Sequence, residues 1–297
     1  MPMLSADDGV ELYYEETGSG TPVVFVHEFA GDHRSYEPQV RYFNRRVRCI
    51  TFNARGYPPS GVPTSLECYS QKHACEDIRA VLDALKIEKA HLVGISMGAF
   101  AVIHFALAYP NRASAVVAGG CGYGAPHNVR EKFRSEAEAM ANGIIKSGMN
   151  TVAQDYCETP TRVQYRRKDP RGWSEFKTML EEHSTLGSAN TMCGVQAKRP
   201  SLFDLEASLA TLAVPLLVIT GDEDDPCLDT SLFLKRIVPS AALAVLPKTG
   251  HTLNLEEPAL FNQLVEDFFR EVDTGQWETR DLKSVGTSIL SRNDKID

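Results

Sequence analysis

The chain has 297 residues, 43% of them hydrophobic, and its 31 Lys and Arg against 39 Asp and Glu leave a net charge of −8. That acidic balance speaks against nucleic acid or an anionic membrane surface as the main partner. No stretch supplies the ~20 consecutive apolar residues of a membrane span, and the first residues lack the basic-then-apolar pattern of a secretory signal.

Strand signals come first. Residues 11–15 precede the turn Thr17-Gly18-Ser19-Gly20, and 22–26 form a run apolar enough for a buried parallel strand. Residues 47–52 predict another. Over 75–85 the residues Ile78, Val81, Leu82 and Leu85 recur at helical spacing, with Glu76 and Asp83 facing outward. A strand at 90–93 runs into Gly94-Ile95-Ser96-Met97-Gly98 and then the apolar stretch 99–103, and 115–118 is the next strand, ended by Gly119-Gly120. From 124 to 209 the chain is polar and helix-prone, with no strand candidate. Alternation resumes with a strand at 216–220, a helix near 231–237, a strand at 242–246 and a helix at 258–271. The remainder, 273–297, is polar and weakly periodic, an appended tail or a peripheral helix.

This density of strand–helix alternation predicts an α/β fold with a mostly parallel, doubly wound sheet of about eight strands. The core is expected from 1–123 and 210–272. The segment 124–209 is expected to be a helical cap over the strands' carboxyl ends, where open α/β sheets bind ligands. Seven cysteines, at 49, 68, 75, 121, 157, 193 and 227, are odd in number and scattered, with no Cys-x-x-Cys pair. They predict reduced thiols in a cytoplasmic protein. Eight histidines without a His-Glu-x-x-His or Cys/His cluster give no reason to expect a metal site.

The chemistry is carried by Ser96. Strand, tight turn and helix in that order lift a serine hydroxyl above the sheet, with the helix N-terminus aimed at developing negative charge. A serine hydroxyl is a poor nucleophile near neutral pH, so it needs a base and an orienting carboxylate. His251, in Lys248-Thr249-Gly250-His251-Thr252 just past the strand at 242–246, fits the base. The acid is expected in Gly221-Asp222-Glu223-Asp224-Asp225, directly after the strand at 216–220. The residues alone leave Asp222, Asp224 and Asp225 open.

Together with Val26-His27, Arg55-Gly56 and Asn254-Leu255-Glu256-Glu257-Pro258, these motifs resemble the α/β-hydrolase fold superfamily over about residues 8–269. The resemblance is to its small capped members, which include esterases, lactonases, cofactor-free haloperoxidases and carbon–carbon bond hydrolases. It implies Asp224 as the triad acid, and the Phe29 and Met97 N–H groups as the oxyanion hole. It implies no cofactor and a small-molecule substrate as partner, with a homodimer left open. Ser96 and Met97 stand where aspartate-nucleophile dehalogenases carry Asp and a halide-binding Trp, so that class is set aside.

Two positions depart from the pattern. Glu28 follows His27 where relatives commonly have glycine. Its carboxylate is expected to turn toward solvent or a neighbouring N–H, away from the oxyanion, with a negative φ. Asn53-Ala54-Arg55-Gly56 replaces the commoner Asp-x-Arg-Gly. The function expected is hydrolysis of a small acyl ester or lactone. The alternatives are a carbon–carbon bond hydrolase or perhydrolase on the same triad, or a ligand-sensing relative. Candidates for the pocket are His27, Glu28, Arg55, His183, Met192 and Cys193, the last three flanking an expected break at Gly187-Ser188-Ala189. Arg55, Arg162, Arg166 and Arg199 are expected to be solvated surface residues.

Overall fold

The apolar runs assemble into one eight-stranded sheet in the computed structural model, which describes residues 1–286. Its strands are β1 (Met3–Ser5), β2 (Glu11–Thr17), β3 (Pro22–Val26), β4 (Arg48–Phe52), β5 (Ala90–Ile95), β6 (Ala113–Gly119), β7 (Leu216–Gly221) and β8 (Ala241–Leu246). They lie in the order β1-β2-β4-β3-β5-β6-β7-β8. The β1–β2 and β2–β4 pairings are antiparallel and the other five are parallel.

Side-chain alternation divides the core. Val24, Leu92, Val116 and Val218 face one layer, and Val23, Val93, Val117 and Ile219 the other, as the period of two in a strand requires. The helices before the cap are α1 (Glu37–Phe43), α2 (Gln71–Ala84) and α3 (Met97–Ala108). Helices α2 and α3 pack on the first layer with Ile78, Val81 and Phe105, and α1 packs on the second with Phe43. Sequence reading missed β1 and α1, which are too short to show a period.

Between β6 and β7 the described chain forms helices alone: α4 (His127–Ser147), α5 (Met149–Tyr156), α6 (Val163–Lys168), α7 (Pro170–Glu181), α8 (Thr185–Thr191) and α9 (Glu206–Leu209), with 3-10 turns and a π-helical turn at Met192–Gln196. A third apolar cluster joins this segment to the core, with Phe29, Tyr57 and Met97 below and Ile144, Phe176 and Leu180 above. The expected break at Gly187-Ser188-Ala189 is instead the middle of α8. Gly187 is there for close approach, since a Cβ would lie 1.9 Å from Gly56 O.

The chain closes with α10 (Asp225–Ile237), α11 (Leu253–Glu256) and α12 (Pro258–Asp273). Beyond α12, the Trp277 ring packs on Phe268 at 4.5 Å and its indole N–H donates to Ser240 O at 2.8 Å. The first part of the expected tail is therefore seated on the core and includes a short 3-10 turn, Leu282–Ser284. Residues 287–297 of that tail lie outside the described residues. Among the described residues no helix is long and apolar enough to cross a membrane, and all seven cysteines are free thiols.

Candidate active site

Ser96 joins β5 to α3 with φ 53° and ψ −111°, a backbone conformation that costs a non-glycine residue on the order of 1–3 kcal/mol. Its neighbours enforce it. A Cβ on Gly94 would lie 2.3 Å from Gly98 O, and one on Gly98 would lie 2.0 Å from Val26 O. The Ser96 N–H is tied to Gly119 O at 2.8 Å. The side chain thus stands at the carboxyl ends of the parallel strands, on the N-terminus of α3. Met97 is the first residue of that helix, so its N–H has no intrahelical acceptor.

The loops after β7 and β8 bring Asp224 and His251 together, with Asp224 Oδ2 2.8 Å from His251 Nδ1. Asp222 instead accepts from the Thr249 N–H at 3.1 Å, and exposed Asp225 begins α10. Burial disfavours a charged imidazole, but the Asp224 carboxylate outweighs it and holds His251 above its ordinary 6.5. Burial likewise opposes the Asp224 charge, and His251 more than offsets it, so the carboxyl lies below its ordinary value. Cys227 joins this pair in a buried cluster of potential metal ligands within 4.8 Å of one another. Burial and the Asp224 charge push its thiol well above the usual range, and Sγ donates to Gly120 O, so the donor set favours a neutral thiol over a thiolate ligand.

A carboxylate that sequence reading left without a role shapes the histidine loop. Buried Glu256 accepts from the Gly250 N–H at 2.7 Å, the Thr252 N–H at 3.1 Å and the Thr252 hydroxyl at 2.9 Å, gripping both neighbours of His251.

Ser96, Asp224, His251 and Phe29 line a cavity of about 400 Å³ beneath the cap. Its cap wall includes Phe133, Ala137 and Met140, one face of α4 at spacings of four and three. That spacing is readable in the sequence. Met192 and Gln196, a turn apart, also line it, as do Tyr156 and the Thr159–Thr161 stretch. Arg199 completes the wall. A hollow of about 440 Å³ lies beside β2 and α1, but none of these reactive groups borders it.

Of the six pocket candidates, Met192 borders the cavity and the other five do not. Buried His27 is a strut: Nδ1–H donates to Glu28 O at 2.7 Å, and Nε2 accepts from the Ala54 N–H at 3.0 Å. Burial lowers its pKa to about 4, which keeps the ring neutral. Arg55 is buried rather than solvated, and Asp77, Asp8 and Cys68 O take its donors. His183 stands 3.6 Å from Asp32 with its ring edge-on to Tyr57. Cys193 packs into the apolar cluster between cap and core.

Glu28 has a negative φ, since Lys86, Ser96 and Lys248 are the described non-glycine residues with positive values. Its carboxylate does not reach solvent. It is 4% exposed and pairs with Arg162, itself 0% exposed. The guanidinium donates from Nη1 to Oε1 at 2.9 Å and from Nη2 to Oε2 at 2.5 Å. Burial opposes the Glu28 charge, yet Arg162 holds the carboxyl below its ordinary value. Arg162 and Arg199 are thus buried, against the solvated positions expected of them, while Arg166 is more than half exposed.

Known proteins resemble the chain over nearly its whole length. At 26% identity, 3-oxoadipate enol-lactonase 1 of Acinetobacter baylyi aligns with 84% of this chain and 89% of its own. A 2-hydroxy-6-oxononadienedioate/2-hydroxy-6-oxononatrienedioate hydrolase of Burkholderia vietnamiensis is 29% identical, with 89% and 93% covered. The solved structure of a thermophilic esterase from Thermogutta terrifontis superposes with a TM-score of 0.80 at 24% identity, covering 91% of this chain and 98% of that one. The sequence profile described as alpha/beta hydrolase fold matches residues 21–258, and with this sheet order and strained serine turn the chain belongs to the α/β-hydrolase fold family.

Proposed function

We propose that the protein is a serine hydrolase cleaving a small acyl ester or lactone. The observation that carries this reading is the buried Asp224–His251 pair, bordering one cavity with a serine held in a strained turn. Asp224 occupies Nδ1, so Nε2 is the nitrogen left to take the Ser96 proton. Oγ then adds to the acyl carbon, and the resulting oxyanion lies toward the Phe29 and Met97 N–H groups. His251 passes its proton to the leaving oxygen as the C–O bond breaks. Water attacks the acyl-enzyme with His251 as base, the acid departs, and the proton returns to Ser96. A lactone follows the same course with the leaving hydroxyl still tethered.

A serine-directed phosphonate should label the protein once, on Ser96, as read by mass spectrometry of the digested adduct. Labelling elsewhere sinks the mechanism. The second reading, a carbon–carbon bond hydrolase, is favoured by Arg199, a buried cation in the cavity wall able to grip an anionic substrate. A panel of esters, lactones and vinylogous diketones separates the two.

The base must be neutral to act, so kcat/KM should rise with pH through an ionisation above 6.5. Asp224→Asn should move that ionisation to lower pH. The sign for stability is opposite. A raised folded-state pKa contributes stability that is complete below the unfolded value and lost as pH rises through the folded one. A rate profile whose ionisation stays in place in Asp224→Asn would remove the carboxylate as its cause.

A further inference from the structure

Arg199 is 2% exposed, borders the same cavity as Ser96, and makes no ion pair within 4.0 Å among the described residues. Its Nη2 donates to Tyr123 O at 2.6 Å, and Nη1 donates to Gln196 Oε1. Nε has no partner, so of five N–H groups two are engaged. The guanidinium lies over the Phe100 ring at 3.7 Å and near Phe133 at 5.0 Å. Cation–π contact of this kind offsets only a part of what it costs to bury an ion.

Nothing nearby supplies the missing negative charge. Arg130 repels Arg199, and the two thiols that act on it, Cys121 and Cys227, are themselves pushed up by burial and stay neutral. Burial first and Arg130 after it bring the guanidinium down to about 9, still charged at neutral pH. The carboxylates on the cavity wall are spoken for: Asp224 by His251, and rim-exposed Glu136 by the Tyr123 hydroxyl at 2.6 Å.

We propose that Arg199 is the anchor for a carboxylate carried by the substrate, which makes the natural substrate a small ester or lactone bearing a free acid. This rests on the hydrolase reading above and narrows it. Placement supports it. Phe100, under the guanidinium, follows Ser96 by one turn of α3, and its N–H bonds to Ser96 O at 3.1 Å. Those four residues rise about 6 Å, the reach of a chain of a few carbons between a scissile carbonyl and a terminal carboxylate. Bound there, the carboxylate would take the remaining donors in the forked geometry that suits guanidinium.

The test uses matched ester pairs. On the acyl side, 4-nitrophenyl hemiglutarate is set against 4-nitrophenyl butyrate. On the alcohol side, 4-carboxyphenyl acetate is set against phenyl acetate. In at least one pair the acid should be favoured in kcat/KM by tenfold or more. Arg199→Gln should collapse that ratio toward 1 chiefly through KM, and Arg199→Lys should keep part of it. Glutarate alone should raise the melting temperature of the wild type and not of Arg199→Gln, a readout that needs no turnover.

If Arg199→Gln slows both members of each pair equally, the residue is only structural and the proposal falls. It also falls if the wild type shows no preference and glutarate does not bind, while turnover of the neutral esters leaves the hydrolase reading standing. Arg199-dependent glutarate binding without turnover of any ester would keep the anchor and sink the hydrolase. Should Arg199→Gln fail to fold, the ratio in Arg199→Lys and the glutarate shift of the wild type decide the matter.

Discussion

Replacing Ser96 by alanine should lower kcat by on the order of 10³-fold or more while leaving the protein folded and the cavity able to bind. The substitution keeps the Cβ that the turn already accommodates, so the strained φ of 53° is no worse than before. What it removes is the Oγ that forms the acyl-enzyme in the proposed mechanism. Any residual rate comes from the oxyanion donors and from His251 acting directly on water, a route with no covalent intermediate. The check is steady-state turnover beside a thermal melt, and a burst of released alcohol seen in the wild type should be absent from the variant. Retention of a tenth of wild-type activity in a homogeneous preparation would take the nucleophile away from Ser96. Because the effect acts on the proposed chemistry alone, it should appear in kcat with every substrate that the wild type turns over.

The turn at the candidate site was legible because tight geometry restricts residue type. A Cβ at position 94 or 98 collides with backbone, so only glycine fits there, and the pair brackets the serine visibly. The loops bearing Asp224 and His251 follow strands that are apolar almost throughout, which fixes where they emerge. The cap was less legible. Its helices were expected, but which of their faces meets the cavity depends on how they fold over the core, and only the spacing of Phe133, Ala137 and Met140 hints at it. The arginines were misread for a physical reason. Arginine is rarely buried unless paired, and the partner of Arg162 lies 134 residues away along the chain. No local pattern announces such a pair. Glu28 looked anomalous on its own loop, and its meaning appears only when the cap is in place.

Arg162→Met should destabilise the protein by about 3–5 kcal/mol, because it leaves the Glu28 carboxylate buried without a counter-charge. Three further contacts go with the guanidinium: its stacking over Tyr156 at 5.1 Å and over Phe176 at 5.2 Å, and its bond to the Tyr156 hydroxyl at 3.0 Å. Removing both charges is a different experiment. Glu28→Leu combined with Arg162→Met should recover most of the lost stability, since apolar replacements of similar volume often match a buried ion pair. Recovery of fold should not bring recovery of rate. The turn that carries Arg162 also accepts the His251 N–H on Thr161 O at 3.3 Å, and Glu28 directly precedes Phe29. The pair therefore sets the distance between the proposed base and one proposed oxyanion donor, where a displacement of ~1 Å can cost 10²-fold. The stable double variant should turn over roughly 10- to 100-fold more slowly than the wild type, with kcat changed more than KM. Depressed below 4.5 by Arg162, the Glu28 carboxyl contributes stability in full at neutral pH and loses it only as pH falls through the folded value. The acid limb of the stability profile should accordingly flatten in the double variant. Urea melts at two pH values and steady-state kinetics read all of this. An Arg162→Met protein within 1 kcal/mol of wild type would mean that the Glu28 charge is relieved some other way, and the pair would lose its role in holding the cap to the site.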